Sequence, residues 1–415
     1  MPIDKIDIVM FNMSRYADWQ GGVENRNFHI LHTLLNDERV RKIVAIDYPP
    51  FNYKRALKQW WQDIVLHGPG GRVLSKGWGH KLIALNRRSI ADTGYQISDQ
   101  QDLSEIPYKL FVYSDISSAW SEEIFLKKLN KQLERLDLKN IVLWSYLPTL
   151  SGMYGFCGEV CSVFDAVDNW LEHSSYLAYQ DKLKMNYQTI RYKADLIFTT
   201  SPALVNFFDR AKGCWFIPNG VNLDRINQPI KLVGRDILDL PRPLIGYVGV
   251  MQEDRLDIDL IAYIARQNPD KSFVFIGPVW SGLKPIIKAK LLHLPNVYFL
   301  GYKSSLEMPA YLREFDVAIM PHLVNDFIRS TNPMKIYQYL AAGKPVVSTP
   351  AEGIDNFKDY IYSATTPQDF NQAIAAALKE NSPALVEQRK HLAAEHSWQA
   401  RVNSMLEKVM AYLPE

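Results

Sequence analysis

Short runs of β-branched and aromatic residues recur along this chain with amphipathic segments between them, and no other feature narrows the fold as much. "KIDIVMF", "KIVAID", "KLFVYSD", "NIVLWSY", "CSVFDAV", "DLIFTTS" and "CWFIPNG" have the continuous apolar character of strands buried on both faces. Helix-like stretches lie between several of them, for example Glu24 to Leu35 and Glu122 to Leu136. Such alternation predicts a parallel sheet covered by helices. After the polar, proline-punctuated stretch from Val221 to Pro243 the series restarts as "PLIGYVG", "SFVFIGP", "NVYFLGY", "FDVAIMP" and "KPVVSTP". The repetition is one of architecture, and 415 residues suit two domains of ordinary size. The expectation is an α/β protein of two Rossmann-like, doubly wound domains facing a cleft, with ligands at the carboxyl ends of the strands. The expected boundaries are 1–220, a linker at 221–243, 244–395, and a terminal amphipathic helix at 396–415 that packs back on the first domain.

Composition removes several classes of function. A net charge of +2 gives no overall attraction to nucleic acid, and none is expected as a partner. Cys157, Cys161 and Cys214 are too few for a disulfide framework. They lack the His/Cys spacing of a zinc site and read as buried thiols. The opening "MPIDKIDIVMFNMS" carries acids where a signal peptide has bases, and reads as a first strand. The most apolar region, Ile141 to Val167, is broken by Pro148, Gly152, Gly155 and Glu159, so no membrane span is expected there.

The stretch "STNPMKIYQYLAAGKPVVST", Ser330 to Thr349, carries the clearest chemistry. Asn332 suits a helix N-cap, Pro333 a first helical residue, and Gly343 a left-handed stop after about Ala342. Lys335 then falls in the first turn, where a positive charge opposes the helix dipole. It makes sense there if a phosphate neutralises it. Gln338, three residues on and on the same face, has the offset for a sugar hydroxyl attached to that phosphate. The alternative is an ordinary proline-started helix with a solvated Lys335.

"PNGVNLD", "IGYVGVMQEDRLD", "FVFIGP", "VYFLGY", "FDVAIMP" and "NPMKIYQYLAAGKPVVST" occur in this order. Together they resemble the donor half of two-domain, GT-B-type glycosyltransferases, in particular the large family-four-like group (glycosyl transferases group 1). "DWQGGVENRNFHIL" resembles that group's glycine loop and first helix. "VFDAVDNW" and "ADLIFTTSPAL" look like later strands of a bacterial surface-polysaccharide subset. The resemblance implies that the first domain takes the acceptor and the second a nucleotide diphosphate sugar of UDP or GDP type, as substrate and without a cofactor. It implies that the Lys335 helix carries the donor diphosphate, with Arg255 as a second cation. Gly21 and Gly22 would bring first-domain backbone close to that phosphate. Gly249, His322, Ser330, Thr331, Asn332 and Gln338 would complete the donor side. The chain departs from the group at two positions: its usual pair of glutamates falls on Ser330 and Gln338. A neutral hydrogen bond contributes roughly 0.5–1.5 kcal/mol against 1.5–3 for one to a charged group, so donor binding survives that change.

A direct displacement needs a base for the acceptor hydroxyl. Asp165 ends the strand "VFDAV" and Asp168 lies in the loop beyond. In similar inverting enzymes with this D-x-x-D strand exit the later aspartate is the base, which makes Asp168 the leading catalytic candidate and Asp165 its companion. A helix cap or Asx-turn is the alternative role for Asp168. No acidic pair is placed to hold a metal, and metal independence is expected. Finally, Phe51 to Ile90 holds Lys54, Arg55, Lys58, Arg72, Lys76, Lys81, Arg87 and Arg88 against the single acid Asp63, with Trp60, Trp61 and Trp78 interleaved. That pattern suits an anionic membrane surface or a charged acceptor. The combined expectation is a glycosyltransferase acting on a glycan or lipid-linked acceptor in bacterial surface polysaccharide synthesis, cytoplasmic and peripheral on the inner face of the membrane. Two rival readings are a nucleotide-sugar 2-epimerase and a non-catalytic donor-binding scaffold subunit.

Overall fold

The computed structural model describes residues 3–50, 52–66, 71–85, 109–209, 213–229, 233–329, 331–351, 354, 357–380 and 382–414. Among them the first sheet comprises β1 (Ile6–Phe11), β2 (Val40–Ile46), β3 (Arg72–Lys76), β4 (His80–Leu85), β5 (Leu110–Asp115), β6 (Ile141–Ser145), β7 (Cys161–Ala166), β8 (Leu196–Thr199) and β9 (Cys214–Phe216). Their order is β3-β4-β5-β2-β1-β6-β7-β8-β9. The chain steps outward from β1 through β2 to β5, then returns to the other side of β1 with β6. Where the order reverses in this way, the connections leave in opposite directions and open a crevice at the carboxyl ends of the strands.

Side chains alternate across the sheet with the strand period of two. Ile6, Ile8 and Met10 pack on one face with the Arg26–Leu35 helix, while Val9 and Phe11 pack on the other with the Glu122–Leu133 helix. Asn25 caps the first of these helices, its side chain accepting from the Phe28 N–H. Burial on both faces is why these strands read as largely apolar runs.

The segment after β2 departs from the parallel plan. An α-helix at Tyr53–Gln59 widens into a π-helix at Trp60–Leu66, and the hairpin β3–β4 then adds to β5 in antiparallel fashion. β3 is an edge strand with mostly exposed side chains, so it lacks the apolar run that marked the other strands.

The second sheet comprises β10 (Leu244–Val248), β11 (Ser272–Ile276), β12 (Val297–Gly301), β13 (Val317–Met320), β14 (Val346–Ser348) and β15 (Ile361–Ser363), in the order β12-β11-β10-β13-β14-β15. All its described pairings are parallel, and its order reverses between β10 and β13. The closing helix, Trp398–Tyr412, returns to the first domain, where Trp398, Val402, Met405 and Leu406 join the core beneath the Arg26–Leu35 helix. Cys161 is buried and Cys157 and Cys214 are half-buried, all three as free thiols. Among the described residues, no helix is long and apolar enough to cross a membrane.

Candidate active site between the domains

A cavity of about 500 Å³ lies between the carboxyl ends of the two sheets and is lined from both domains. On the second domain's side it sits over the β10/β13 reversal. Gly249 leaves β10 with φ +142°, and a Cβ there would stand 2.1 Å from the Lys335 Cε. Only glycine lets the lysine cross at that point. Its ammonium lies 5.4 Å from the centre of the Tyr247 ring. Burial, with Arg255 as a repelling neighbour, lowers the Lys335 pKa to about 7. Arg255 stands on the loop after β10, and its buried Nε has no hydrogen-bond partner. Two cations therefore share this end of the cavity, and no carboxylate contributes to the Lys335 shift.

His322 follows β13 and is buried, with both ring nitrogens unpartnered. Burial and the two cations hold its pKa well below the ordinary histidine value, so the ring is neutral and offers one donor and one acceptor. Its backbone is fixed by Thr349, whose hydroxyl accepts from the His322 N–H (3.1 Å) and donates to the His322 carbonyl (2.8 Å). Gln338 lines the cavity from the Met334–Ala341 helix, three residues beyond Lys335.

The helix begins one residue later than its sequence suggests. Pro333, with extended backbone, is the flanking residue, so Asn332 lies outside the cap. The Asn332 Oδ1 accepts instead from the Asn219 N–H (2.9 Å) and the Tyr337 hydroxyl (3.0 Å), and its carbonyl accepts from the Asn219 amide (2.5 Å). Its visible task is to bind Asn219, at the end of the first domain, to the helix. Gly343, at φ +72°, follows the helix end as its left-handed stop. Thr331 lines the cavity and donates to the Ile328 carbonyl (2.8 Å). Ser330 lies outside the described residues.

The first domain supplies the opposite wall. Asp168 is half-buried on the loop after β7 and faces the cavity. Burial raises its pKa, against the opposing pull of Arg255, His173 and Arg26. Asp165 is placed elsewhere. It is fully buried, and its carboxylate accepts from the Arg26 Nε at 3.0 and 3.1 Å. The same guanidinium donates to the Ile217 carbonyl (3.0 Å), the Pro218 carbonyl (3.2 Å) and the Asn219 Oδ1 (3.1 Å). Asp165 is thus the counter-ion of a hub that fixes the segment Ile217 to Asn219 at the end of the first domain, and it does not line the cavity. Sequence reasoning did not single out Arg26, which opens a helix whose polar residues Asn27, His29, His32 and Thr33 are also buried.

Gly22 lines the cavity at φ +87°, and a Cβ there would stand 2.1 Å from the Tyr302 hydroxyl. That hydroxyl donates to the Gly21 carbonyl across the domain gap (2.9 Å), at an exposed position. A second bridge, from Arg225 to Glu24 at 2.9 Å, is more sheltered. Among the described residues, no group of three or more His, Cys, Asp or Glu side chains is placed to hold a metal ion.

Lys54, Arg55 and Lys58 are exposed on the Tyr53–Gln59 helix. Trp61 is 51% exposed and Trp78 75% exposed beside it. Trp60 is turned partly inward, packing with Ala56, Ile64 and Ile116 and donating to the Trp78 carbonyl (2.6 Å). Asp63, the acid of this segment, faces Arg15 at 3.0 Å. Arg87 and Arg88 lie outside the described residues.

Comparison with known proteins bears on this arrangement. Residues 242–380 match the family model for glycosyl transferases group 1. The chain is 29% identical over 202 residues to TuaH of Bacillus subtilis (strain 168), which is assigned to teichuronic acid biosynthesis as a glycosyltransferase. That match covers 47% of this chain and 49% of TuaH, so the chain spans about half the length of the curated relative it matches. Over its whole length the fold is similar to that of Anabaena HepE, solved with UDP and glucose. The TM-score is 0.66 at 13% identity, covering 99% of this chain and 100% of that one. It is also similar to sucrose-phosphate synthase from Thermosynechococcus elongatus, with a TM-score of 0.63, 13% identity and 98% of each chain covered. The protein has the two-domain GT-B fold, and residues 242–380 of its second domain match the model for glycosyl transferases group 1.

Proposed function

We propose that the protein is a glycosyltransferase of bacterial polysaccharide synthesis that binds a nucleotide diphosphate sugar over the β10/β13 reversal. The sugar is transferred to a hydroxyl of a glycan or lipid-linked acceptor held by the first domain. The observation that carries this reading is the Arg255–Lys335 pair, two partly buried cations at a helix start, facing Asp168 across the cavity. A diphosphate would relieve their mutual repulsion and accept hydrogen bonds from both. In the reaction the acceptor oxygen forms a bond to the anomeric carbon, and the bond from that carbon to the diphosphate oxygen breaks. The electron pair leaves with the diphosphate, and the acceptor proton passes to Asp168. The structures similar to this one include HepE with UDP-glucose, which supports a UDP-sugar as the first donor to try.

Calorimetric titration with UDP, GDP, ADP and dTDP, first in EDTA and then with Mg²⁺, tests the donor site. Selective binding of one diphosphate in EDTA is expected, because the two cations and the helix end take the role that a metal has elsewhere. Binding that appears only with Mg²⁺ would overturn metal independence. Absence of binding under both conditions would favour the scaffold reading, with Ser330 and Gln338 marking a disabled site. Release of free sugar or of an epimer without an acceptor would favour the epimerase.

The lowered Lys335 pKa adds a signature. Above about pH 7 the empty site holds a neutral amine, and a bound diphosphate restores its proton. UDP-glucose, whose diphosphate does not titrate in this range, should therefore be bound with proton uptake at pH 8, and its affinity should fall as pH rises beyond 7. Calorimetry in buffers of different ionisation enthalpy reads the uptake directly. Lys335→Arg should abolish it, and uptake that persists in this variant would remove Lys335 from the phosphate site.

The reading extends to the membrane. Exposed Lys54, Arg55 and Lys58 beside Trp61 and Trp78 form a face suited to anionic lipid on the cytoplasmic side, and Asp63 is already occupied by Arg15. At about 1 kcal/mol per basic residue, replacing all three by glutamine should weaken binding to phosphatidylglycerol vesicles by roughly a hundredfold. No vesicle binding by the parent protein would end the membrane assignment.

A further inference from the structure

A second concavity, of about 280 Å³, lies at the carboxyl edge of the first sheet and shares no lining residue with the interdomain cavity. Its walls are the segments that follow four strands: Pro49 and Pro50 after β2, Ser118 to Glu122 after β5, Thr149 and Leu150 after β6, and Tyr176 and Tyr179 after β7. The last of these belongs to the same connection as Asp168. Trp170, two residues beyond Asp168, stacks on Tyr176 with ring centres 4.5 Å apart and planes at 23°. One loop therefore separates the groove from the candidate base.

The groove mixes ring faces with polar rims. Trp120 and Tyr179 stand at its mouth, 51% and 43% exposed, and Tyr176 lies within. Among them are the Thr149 hydroxyl and the exposed Lys182 ammonium, which has no ion pair among the described residues. Glu122 and Asn186 are held in place, the first accepting from the Gly152 N–H (2.7 Å) and the second donating to the Pro148 carbonyl (2.8 Å). A pyranose ring has an apolar C–H face and a rim of hydroxyls, and matches a surface in which aromatic planes alternate with hydrogen-bonding groups. A prenyl chain would cover Lys182 and Glu122 without giving them partners, which costs free energy.

We propose that this groove binds the saccharide chain of the acceptor, at sugar units back from the hydroxyl presented to Asp168. The proposal rests on the transferase reading and assigns it an oligosaccharide-bearing acceptor. Calorimetry with maltotetraose, chitotetraose and a hyaluronan tetrasaccharide tests it directly, with farnesyl phosphate as the lipid probe. At least one tetrasaccharide should bind, and Trp120→Ala and Tyr179→Ala should each weaken that binding tenfold or more while leaving UDP affinity within twofold. Both side chains are exposed, so neither change opens the core, and Lys182→Ala should weaken binding of the same sugar without touching an aromatic ring. Saccharide affinity unchanged in these variants, no tetrasaccharide binding at all, or farnesyl phosphate as the ligand lost in them would overturn the proposal. UDP binding measured on the same samples separates the two readings. If saccharide binds and no diphosphate does, the transferase fails and the groove stands; the reverse result removes only the groove.

Discussion

Asp168→Asn should leave UDP affinity within twofold of the parent protein and lower sugar transfer at least a hundredfold. The asparagine keeps the shape of the side chain and loses the ability to take a proton, and a placed base is worth roughly 10²–10⁴ in rate. The pH profile sharpens this expectation. The base acts only when ionised, and burial raises the Asp168 pKa, so the acid limb of kcat/KM should lie above the usual carboxylate range near 4. Its basic limb should fall near pH 7, where Lys335 of the free enzyme loses its proton. In Asp168→Asn the acid limb should vanish from whatever activity remains. Full transfer by this variant would exclude Asp168 as the base.

Arg26→Ala should destabilise the protein by about 3–5 kcal/mol, because it leaves the Asp165 carboxylate buried and unpaired. The ion pair itself need not be strongly stabilising; its removal by halves is what costs. The guanidinium also satisfies the Ile217 and Pro218 carbonyls, which lose their donor in the same variant. Urea unfolding checks the loss, and a change below about 1 kcal/mol would show that the network does not hold the Arg26 helix to β7 and the segment Ile217 to Asn219. Asp165→Asn supplies the control for its chemical role. If Asp165 is a counter-ion only, folded protein carrying this change should retain the acid limb set by Asp168.

Where burial is two-sided, the sequence carried the fold openly: β1, β7 and β10 are largely apolar runs because helices cover both faces of their sheets. The same logic hid the β3–β4 hairpin, whose edge strand is exposed and reads like loop. β15, with Tyr362 half-buried and Ser363 exposed, likewise lacks an apolar run. At the site, Lys335, Arg255, Gly249 and Asp168 lie together as motif spacing and resemblance suggested. Asp165 and Asp168 look equivalent in sequence, three residues apart at a strand exit. They separate only in three dimensions, because β7 carries Asp165 into the core, where Arg26 waits at a distance of 139 residues in the chain. Asn332 shows the same limit at shorter range. A shift of the helix start by one residue turned an expected cap into a tie to Asn219. Neither pairing leaves a local trace, since each is fixed by where distant segments meet.

The ties between the domains differ in kind from one side of the cavity to the other. Asn219 and Asn332 join through buried hydrogen bonds at the rear, whereas Tyr302 and Gly21 meet in water. An exposed neutral hydrogen bond exchanges readily with solvent, and a buried pair has no such substitute. The two walls are therefore joined by ties of unequal kind: buried hydrogen bonds between Asn219 and Asn332, and at the Gly22 loop an exposed Tyr302–Gly21 bond beside the more sheltered Arg225–Glu24 ion pair. The Lys335 helix is bound through Asn332 to Asn219, and Arg26 holds Asn219 and the two residues before it, so the start of this helix is anchored to the first domain's buried ion pair.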